Sequence, residues 1–310
     1  MSFTANIKGE LCRISAESRC CPRAELAGFI VTNGNLLLST GGVVHLNIVT
    51  EHAFVARHIY RLIKSQFGFV PAVLARKRAR LKKNVTYLVQ VADSGQARQV
   101  ISDLGILDGR HIPGSPGRQL LSRKCCKRGY LRGCFLAGGS VSSPESHGYH
   151  LEIATEYSAH AQFVRELMSS LGIKSGQIKR KRQQVVYVKD SEQIAQFLTI
   201  IGTSKGRLEF ENARIYKEMR NKVNRIVNCE TANVGKTVNA SQRQVAAIRK
   251  LQLNQILQSL SPGLREVAML RLEMPEATLE ELGQEAGLSK SAVNYRLRKL
   301  LKIAASLRHN

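Results

Sequence analysis

The sequence predicts an α+β protein, with a pseudo-two-fold N-terminal domain made of two repeated units followed by an all-α C-terminal domain. Three observations predict it. Short motifs recur in the same order at a fixed offset of 105 residues. Within each copy, helical spacing of apolar residues gives way to strand-like alternation and then returns. Toward the C-terminus only the helical period survives, punctuated by capping residues, prolines and a glycine.

The repeat is explicit in the residues. Leu26-Ala-Gly-Phe-Ile-Val-Thr-Asn-Gly34 aligns with Leu131-Arg-Gly-Cys-Phe-Leu-Ala-Gly-Gly139. His45-Leu-Asn-Ile-Val-Thr-Glu51 aligns with His150-Leu-Glu-Ile-Ala-Thr-Glu156, and Cys20-Cys21 with Cys125-Cys126, all at 105 residues. Farther on, Val85 to Val91 faces Val185 to Lys189 at a smaller offset, as an indel in a hairpin would produce.

Each unit is expected to run helix, strand, helix, strand, helix. The first helix holds the repeated motif. Strands at Val43 to Val49 and His150 to Ala154 alternate apolar positions. Thr50 and Thr155 are the expected N-caps of the second helices (Ala53 to Phe67, Ala159 to Leu171), with Glu51 and Glu156 favourably placed on the helix dipole. Third helices are expected near Gln96 to Leu104 and Glu192 to Ile200. Gly109-Arg-His-Ile-Pro-Gly-Ser-Pro-Gly117 has the composition of a linker. The boundaries expected are 1–108 and 118–205 for the two units, 206–240 for an amphipathic helix and linker, and 241–310 for the C-terminal domain.

The motif helices are rich in small residues. Gly28 faces Gly133 in the alignment, and Ala137, Gly138 and Gly139 follow in the second copy. Glycine within a helix costs about 1 kcal/mol against alanine, so a close helix crossing at a pseudo-two-fold axis is the expected compensation. This pattern resembles the LAGLIDADG homing-endonuclease fold, in which paired motif helices form the domain interface and curved sheets lie over the DNA major groove. The resemblance implies an acidic, metal-binding residue at the eighth motif position. Those degenerate former catalytic positions are here Asn33 and Gly138. Neither supplies the hard anionic oxygen that divalent-metal phosphodiester hydrolysis needs, so no nuclease chemistry and no catalytic residue are expected.

Farther along, Glu209 to Asn228 has the pattern of an amphipathic helix, with Ile215, Met219, Val223 and Ile226 on or near one face and Asn221, Asn224 and Asn228 on another. Cys229 to Ala240 is polar and is expected to be a linker. A helix is expected from Ser241 through Leu260. Ser261-Pro262 then offers an N-cap with proline at the first helical position, opening a helix (Leu264 to Leu272) that ends before Pro275. Thr278-Leu-Glu-Glu281 is a capping box. It starts a helix that Gly287 ends, after which Leu288 plugs the turn and Ser289 caps a final helix with Val293, Leu297 and Leu300 inward. This spacing is the signature of a helix-turn-helix. Lys290, Ser291, Asn294, Tyr295 and Arg298 are the residues expected to meet base edges and phosphates. Leu264 to Leu301 also resembles region 4 of bacterial sigma factors, a likeness of fold rather than of role.

The degenerate LAGLIDADG-like domain, the segment Arg220-Asn-Lys-Val-Asn-Arg-Ile-Val-Asn-Cys-Glu-Thr-Ala-Asn233, the run Phe135-Leu-Ala-Gly-Gly-Ser-Val141 and the terminal helix-turn-helix together resemble the WhiA family across the whole chain. That resemblance implies a DNA-binding protein of Gram-positive bacteria, tied to sporulation septation in some lineages and to cell division and chromosome segregation in others. It also implies a cytoplasmic, nucleoid-associated location.

Composition agrees with a polyanionic partner. Among 310 residues, 47 Lys and Arg face 23 Asp and Glu, giving a formal charge of +24. Nucleic acid ranks first and an acidic membrane second, with double-stranded DNA the partner expected; no membrane segment is expected, since the uncharged stretch Leu26 to Thr50 is interrupted by glycine and polar residues. RNA polymerase or another regulator is a further partner for a protein of this kind. Hydrophobic residues make up 43%, enough for packed cores, while the absence of Trp and 5% aromatic content disfavour a single-strand binder that works by stacking. Arg76-Lys77-Arg78, Arg80, Lys82 and Lys83 form a basic cluster before the Val85 strand, and Lys179, Arg180, Lys181 and Arg182 occupy the corresponding place in the second unit. These are expected as auxiliary, sequence-independent phosphate contacts. Met1 to Glu10 has no apolar core of a secretory signal, so the seven cysteines are expected to be reduced thiols. Adjacent Cys-Cys pairs lack the CxxC spacing of a zinc site, His45 and His150 are expected to be structural, and no metal or cofactor is expected. The function expected is a non-catalytic DNA-binding regulator. The competing expectations are a nuclease using non-standard acids and an adaptor that grips a protein partner.

Overall fold

The computed structural model describes residues 2–15, 18–39, 43–77, 85–106, 116–146 and 148–307. Two compact units, Met1–Lys217 and Glu218–Asn310, account for the chain.

The first unit opens with helix α1 (Phe3–Leu11), whose Ser2 N-cap accepts a hydrogen bond from the Ala5 amide and which buries Phe3, Ile7 and Leu11. One copy of the repeat then comprises α2 (Cys21–Asn33), β1 (Gly34–Ser39), β2 (Val43–Thr50), α3 (Ala53–Phe67), β3 (Ala72–Lys77), β4 (Val85–Val91) and α4 (Ser94–Asp103). After a 3-10 turn (Arg118–Leu121), the other copy comprises α5 (Lys124–Gly138), β5 (Gly139–Val141), β6 (Leu151–Thr155), α6 (Ser158–Ser170), β7 (Gly176–Arg180), β8 (Gln183–Val188) and α7 (Ser191–Ile201). The two sheets have the same antiparallel order, β1-β2-β4-β3 and β5-β6-β8-β7. Even the register repeats: Gly34 lies opposite Ile48, and Gly139 opposite Ile153.

Each copy therefore has two strands after its motif helix, where the sequence suggested one. Gly34 and Gly139 end the helices in extended conformation and continue directly into β1 and β5, so glycine there is a junction and not a break. The register also moves one alignment. Leu46 faces Val91 and Leu151 faces Val188, so Val91 corresponds to Val188 at an offset of 97. The match of Val85 to Val185 is thus slipped by three residues, an odd number that would reverse the strand's faces. At the corrected offset the caps coincide: Asp93 accepts from the Gln96 amide at 2.8 Å, and Asp190 from the Gln193 amide at 2.9 Å.

Thr50 and Thr155 are not N-caps. They end β2 and β6, and His52 and Tyr157 occupy the cap positions of α3 and α6 without side-chain caps. Each threonine hydroxyl instead accepts from the amide two residues on, at 3.4 and 3.5 Å, and so shapes the strand-to-helix turn. Glu51 and Glu156 precede the cap residues and lie outside the first helical turn.

The two copies meet at α2 and α5, the most intimate helix pair of the unit. A Cβ on Gly28 would stand 2.3 Å from the Tyr130 carbonyl oxygen, and one on Gly133 would stand 2.0 Å from that of Glu25. Backbone therefore packs on backbone, which explains why glycine is accepted inside two helices. Beside the crossing, Glu25 of α2 is 4% exposed. It takes His58 Nε2 on one carboxylate oxygen at 2.6 Å and Arg132 Nη1 on the other at 3.3 Å, while Arg132 Nε donates to the Ile201 carbonyl at 2.7 Å. Burying this charge is tolerable because each partner is paired. In the other copy the corresponding position is Tyr130, whose hydroxyl lies 3.0 Å from Nε2 of the fully buried His160; His160 Nδ1 lies 3.1 Å from Thr155 Oγ1.

A single helix, α8 (Ser204–Leu253), begins in the first unit and continues into the second. Its first turn is capped from far away in sequence: Glu10 accepts from the amides of Lys205 and Gly206, both at 2.9 Å, and from the Thr203 hydroxyl. Burial works to raise the Glu10 pKa, but these hydrogen bonds outweigh it and hold the carboxyl below its usual range. The expected linker Cys229 to Ala240 is helical throughout. Its asparagines and threonines are weak helix formers, yet none breaks the backbone ladder, and Thr237 Oγ1 returns its proton to the Asn233 carbonyl at 3.0 Å. Ile215, Met219, Val223 and Ile226 are each about half exposed along α8. The helix stops at Leu253, short of Leu260, because Gln255 takes φ +60° and a 3-10 turn (Leu257–Ser259) follows. The second unit then folds α9 (Pro262–Glu273), α10 (Leu279–Glu285) and α11 (Lys290–Ser306) around Val267, Ala268, Leu282, Val293, Leu297 and Leu300.

Two outcomes follow from this packing. Gly133→Ala forces a methyl group into a backbone carbonyl, and it should cost about 3 kcal/mol or more in denaturant unfolding, whereas Gly148→Ala, which meets nothing within 4 Å, should be near neutral. Burial lowers the His160 pKa to about 4. The unfolded chain therefore takes up a proton near pH 6.5 that the native state refuses, so stability should fall as pH drops from about 6.5 towards 4, by at most about 3 kcal/mol. His160→Gln should flatten that part of the stability profile; an unchanged slope would assign it to another group.

Candidate nucleic-acid interface

The strongest local signal lies in the second unit. Thr278 accepts from the Glu281 amide at 3.2 Å, and Glu281 accepts from the Thr278 amide at 2.7 Å, so α10 begins with a complete capping box. Those hydrogen bonds hold the Glu281 carboxyl below its ordinary pKa. Gly287 then turns the chain at φ +64°, where L side chains are strained. The Leu288 amide returns to the Gly283 carbonyl at 2.8 Å, and a Cβ on Gly283 would be 2.6 Å from the Leu288 oxygen. Ser289 caps α11 through its hydroxyl, which accepts from the Ala292 amide at 3.3 Å. Ser261 occupies the N-cap of α9, with Pro262 in the first turn, but its side chain makes no capping hydrogen bond.

Behind this motif Arg271 is 2% exposed, and its Nη1 donates to the Ala277 carbonyl at 2.6 Å and more weakly to those of Met274 and Pro275. One buried guanidinium thus fixes the chain between α9 and α10. Ser241 of α8 also donates to the Pro275 carbonyl. Sequence reasoning missed both anchors, because nothing local marks an arginine or serine that serves carbonyls elsewhere in the chain.

Three of the five expected contact residues of α11 sit on the side opposite its core residues. At about 100° per residue, Ser291, Tyr295 and Arg298 fall on one exposed stripe, with Asn294 partly buried at its edge and Tyr295 68% exposed. Lys302 continues the same stripe and is exposed; its spacing from Ser291, Tyr295 and Arg298 was available in sequence. Lys290 lies at the start of the helix, 3.5 Å from Glu280 in an exposed ion pair.

A second basic feature belongs to the first unit. Lys179 and Arg180 end β7, Lys181 and Arg182 make the connection to β8, and all four are exposed. Lys181 holds φ +55°, a conformation that costs a non-glycine residue about 1 kcal/mol or more. Arg180 is engaged on the sheet, 3.2 Å from Glu152, which also takes His150 Nε2 at 3.0 Å. Burial would raise the Glu152 pKa, but these partners keep it lowered. Of the first-copy cluster, Arg76 is exposed in β3 and Lys77 ends that strand, whereas Arg78, Arg80, Lys82 and Lys83 lie outside the described residues.

At the ends of the motif helices, Asn33 donates from Nδ2 to the Val49 carbonyl at 3.1 Å. Its counterpart Gly138 leaves no room for a side chain: a Cβ would be 2.3 Å from the Ala154 oxygen. The repeat thus uses both positions to join helix to sheet. His45 of β2 has its Nδ1 2.6 Å from the carbonyl of Ala92, the residue after β4, and His150 stacks on Tyr187. The Cys-Cys pairs, far apart in sequence, converge: Cys20 and Cys125 have their sulfurs 4.0 Å apart.

The fold and these elements define a two-unit LAGLIDADG-like protein with a C-terminal helix-turn-helix. Family models agree segment by segment, matching the WhiA N-terminal LAGLIDADG-like domain over residues 19–107, the WhiA LAGLIDADG-like domain over 127–220 and the WhiA C-terminal HTH domain over 223–304. The chain belongs to the WhiA family. A protein of Desulforudis audaxviator named probable cell division protein WhiA is 47% identical over 308 residues, spanning 98% of this chain and 97% of its own. One of the same name from Heliobacterium modesticaldum is 46% identical over 307 residues, spanning 98% and 96%. The crystal structure of full-length WhiA from Thermatoga maritima shares 26% identity and a TM-score of 0.62, with all of both chains covered. None of the helices described is long and apolar enough to cross a membrane.

Proposed function

We propose that this chain is a non-catalytic, double-stranded-DNA-binding regulator acting in cell division, chromosome segregation or sporulation. The observation that carries the reading is the exposed stripe of α11, presented by a fully capped helix-turn-helix. Asn294 offers the donor and acceptor that suit an adenine edge, and Arg298 the paired donors that suit a guanine edge. Lys290, Ser291, Tyr295 and Lys302 suit phosphates and sugars on either side. The LAGLIDADG-like domain serves as scaffold and second, sequence-independent contact through Lys179, Lys181 and Arg182, with Arg76 and Lys77 and the cluster Arg78, Arg80, Lys82 and Lys83 doing the same in the other copy. Arg180 is a weaker candidate, since Glu152 already holds it.

The non-catalytic reading rests on donor chemistry. Asn33 and Gly138 offer no carboxylate where the motif helices end, and the hard cations of phosphodiester hydrolysis favour anionic oxygen. RNA polymerase or another regulator is the protein partner that a DNA-bound factor of this kind would meet. The proposed location is the cytoplasm, at the nucleoid.

Genomic fragments selected by the purified chain at near-physiological salt provide the test. A short enriched motif supports sequence-specific regulation, and flat recovery overturns it. On the selected site, Arg298→Ala and Asn294→Ala should each cost about 1–3 kcal/mol in specific affinity, with little change on random DNA. Replacing Lys179, Lys181 and Arg182 with Gln should weaken both kinds of binding alike and shrink the slope of log K against log salt by about 2–3. An unchanged slope would remove the hairpin from the interface.

A further inference from the structure

The four cysteines at the start of the two motif helices have no part in the proposed DNA contacts. Cys20 is the residue before α2 and Cys21 is its first; Cys125 and Cys126 lie in the first turn of α5. The pseudo-two-fold axis that joins the helices also joins these pairs. Cys20 Sγ and Cys125 Sγ are 4.0 Å apart, and the sulfurs of Cys20, Cys21 and Cys125 all lie within 4.8 Å of one another. Cys126 interacts with Cys20 and Cys125 but is not one of the three whose sulfurs lie within 4.8 Å of one another. Among the described residues this is the one group of three or more His, Cys, Asp or Glu side chains gathered closely enough to hold a metal ion.

The geometry fits a particular class of ion. Zinc–thiolate bonds of about 2.3 Å in a tetrahedron place sulfurs about 3.8 Å apart. The trio needs to contract by at most about 1 Å to meet that spacing, within the reach of a side-chain rotation. A disulfide, by contrast, requires sulfurs at about 2.05 Å, and the cysteines are free. The surroundings favour thiolate at Cys20. Ser18 Oγ lies 2.9 Å from Cys20 Sγ, 3.2 Å from Cys21 Sγ and 3.7 Å from Cys125 Sγ. The Ser18 hydrogen bond, followed by that of Cys126, lowers the Cys20 pKa to about 7, whereas burial raises those of Cys21 and Cys126. Burial likewise pushes the thiols of Cys12 and Cys134 up to about 12, so Cys21 and Cys126 would give up their protons to a bound metal rather than in the free protein. Both pairs begin helices, where the dipole favours anions, and Arg19, Arg23, Arg123, Lys124 and Lys127 flank them in sequence. A dianionic tetrathiolate centre would be set among cations.

We propose that Cys20, Cys21 and Cys125, with Cys126 turned in by a side-chain rotation as fourth ligand, form a thiolate site for a single soft divalent cation of the zinc class, which clamps the two copies of the repeat together at the head of their crossing helices. The thiols lose their protons as the four metal–sulfur bonds form, with no change of oxidation state. The site is structural and closed, with no open position for a substrate. Adjacent cysteines suffice because each copy supplies half of the ligand set, so the spacing that normally marks a zinc motif within one segment is replaced by the symmetry of the repeat.

The test uses the full chain, purified under reducing conditions without chelator, incubated with zinc chloride and desalted. Elemental analysis should find about one zinc per chain, retained in Cys229→Ser and reduced at least about tenfold in Cys20→Ser/Cys125→Ser. Cobalt in place of zinc should give the visible and near-ultraviolet bands of a tetrahedral thiolate centre, absent from the double variant. Because that variant could fail to fold, alkylation of the parent protein is read in parallel by peptide mass spectrometry. Zinc should slow modification of Cys20 and Cys125 at least about tenfold and leave Cys229 unaffected. Zinc below about one tenth per chain, equal zinc in parent and a folded double variant, unprotected Cys20 and Cys125, or iron with labile sulfide in the isolated protein would each overturn the proposal.

Discussion

Contact between two helix backbones governs the N-terminal unit. At the crossing of α2 and α5, Gly28 and Gly133 approach the opposing carbonyls more closely than any Cβ allows. Backbones this close gain dispersion over their whole facing surface, which offsets the conformational cost of glycine in a helix. The distance of approach then fixes everything arranged around the axis. Glu25 reaches Arg132 across the interface because the helices are near enough for a buried ion pair to close. The cysteine pairs meet for the same reason, and a Cβ on Gly129, one turn from the α5 cysteines, would lie 3.0 Å from the Cys21 carbonyl.

The same constraint reshapes what the motif helices do at their other ends. Asn33 spends its amide on the β2 backbone, and Gly138 lies so close to the β6 backbone that no side chain fits. Restoring an acid at position 138 would therefore require moving β6, since the Ala154 carbonyl already fills the space. The two ends have become joints between helix and sheet, which is consistent with a scaffold that carries other surfaces. The sheets retain their order and register in both copies. The exposed basic turn of Lys179 to Arg182 sits at one of their hairpins, with a lysine held in a conformation that glycine would adopt more cheaply.

The C-terminal unit achieves definition by polar anchoring as much as by apolar packing. Its core is small, and Arg271 supplies what a short loop between helices cannot supply for itself: donors for several carbonyls at once. With the capping box of α10 and the Ser289 cap of α11, this leaves the exposed stripe of α11 on a helix whose start is fixed. In the proposed division of labour, α11 reads sequence while the basic turn of the N-terminal unit adds charge. The first term depends on placing a few side chains to within a fraction of an ångström, the second only on local cation density.

The sequence by itself determined the repeat, the helix-turn-helix and the sites of glycine at the crossing, because each is written in short contiguous runs of residues, the repeat by the recurrence of such runs. Periodicity, caps and the left-handed Gly287 are local physics. Tertiary structure decided the rest. It made Gly34 and Gly139 junctions into strands, moved Thr50 and Thr155 from caps to turns, and slid the alignment of β4 and β8 by three residues, since register is a property of paired strands. It extended α8 through a polar segment that weak propensities marked as a linker, an outcome governed by an unbroken hydrogen-bond ladder. Most of all, it brought together Glu25 with His58 and Arg132, Glu10 with the start of α8, and the two cysteine pairs. Each set draws its members from segments far apart in the chain, and no spacing rule applied to a single segment detects a site that only the folded repeat assembles.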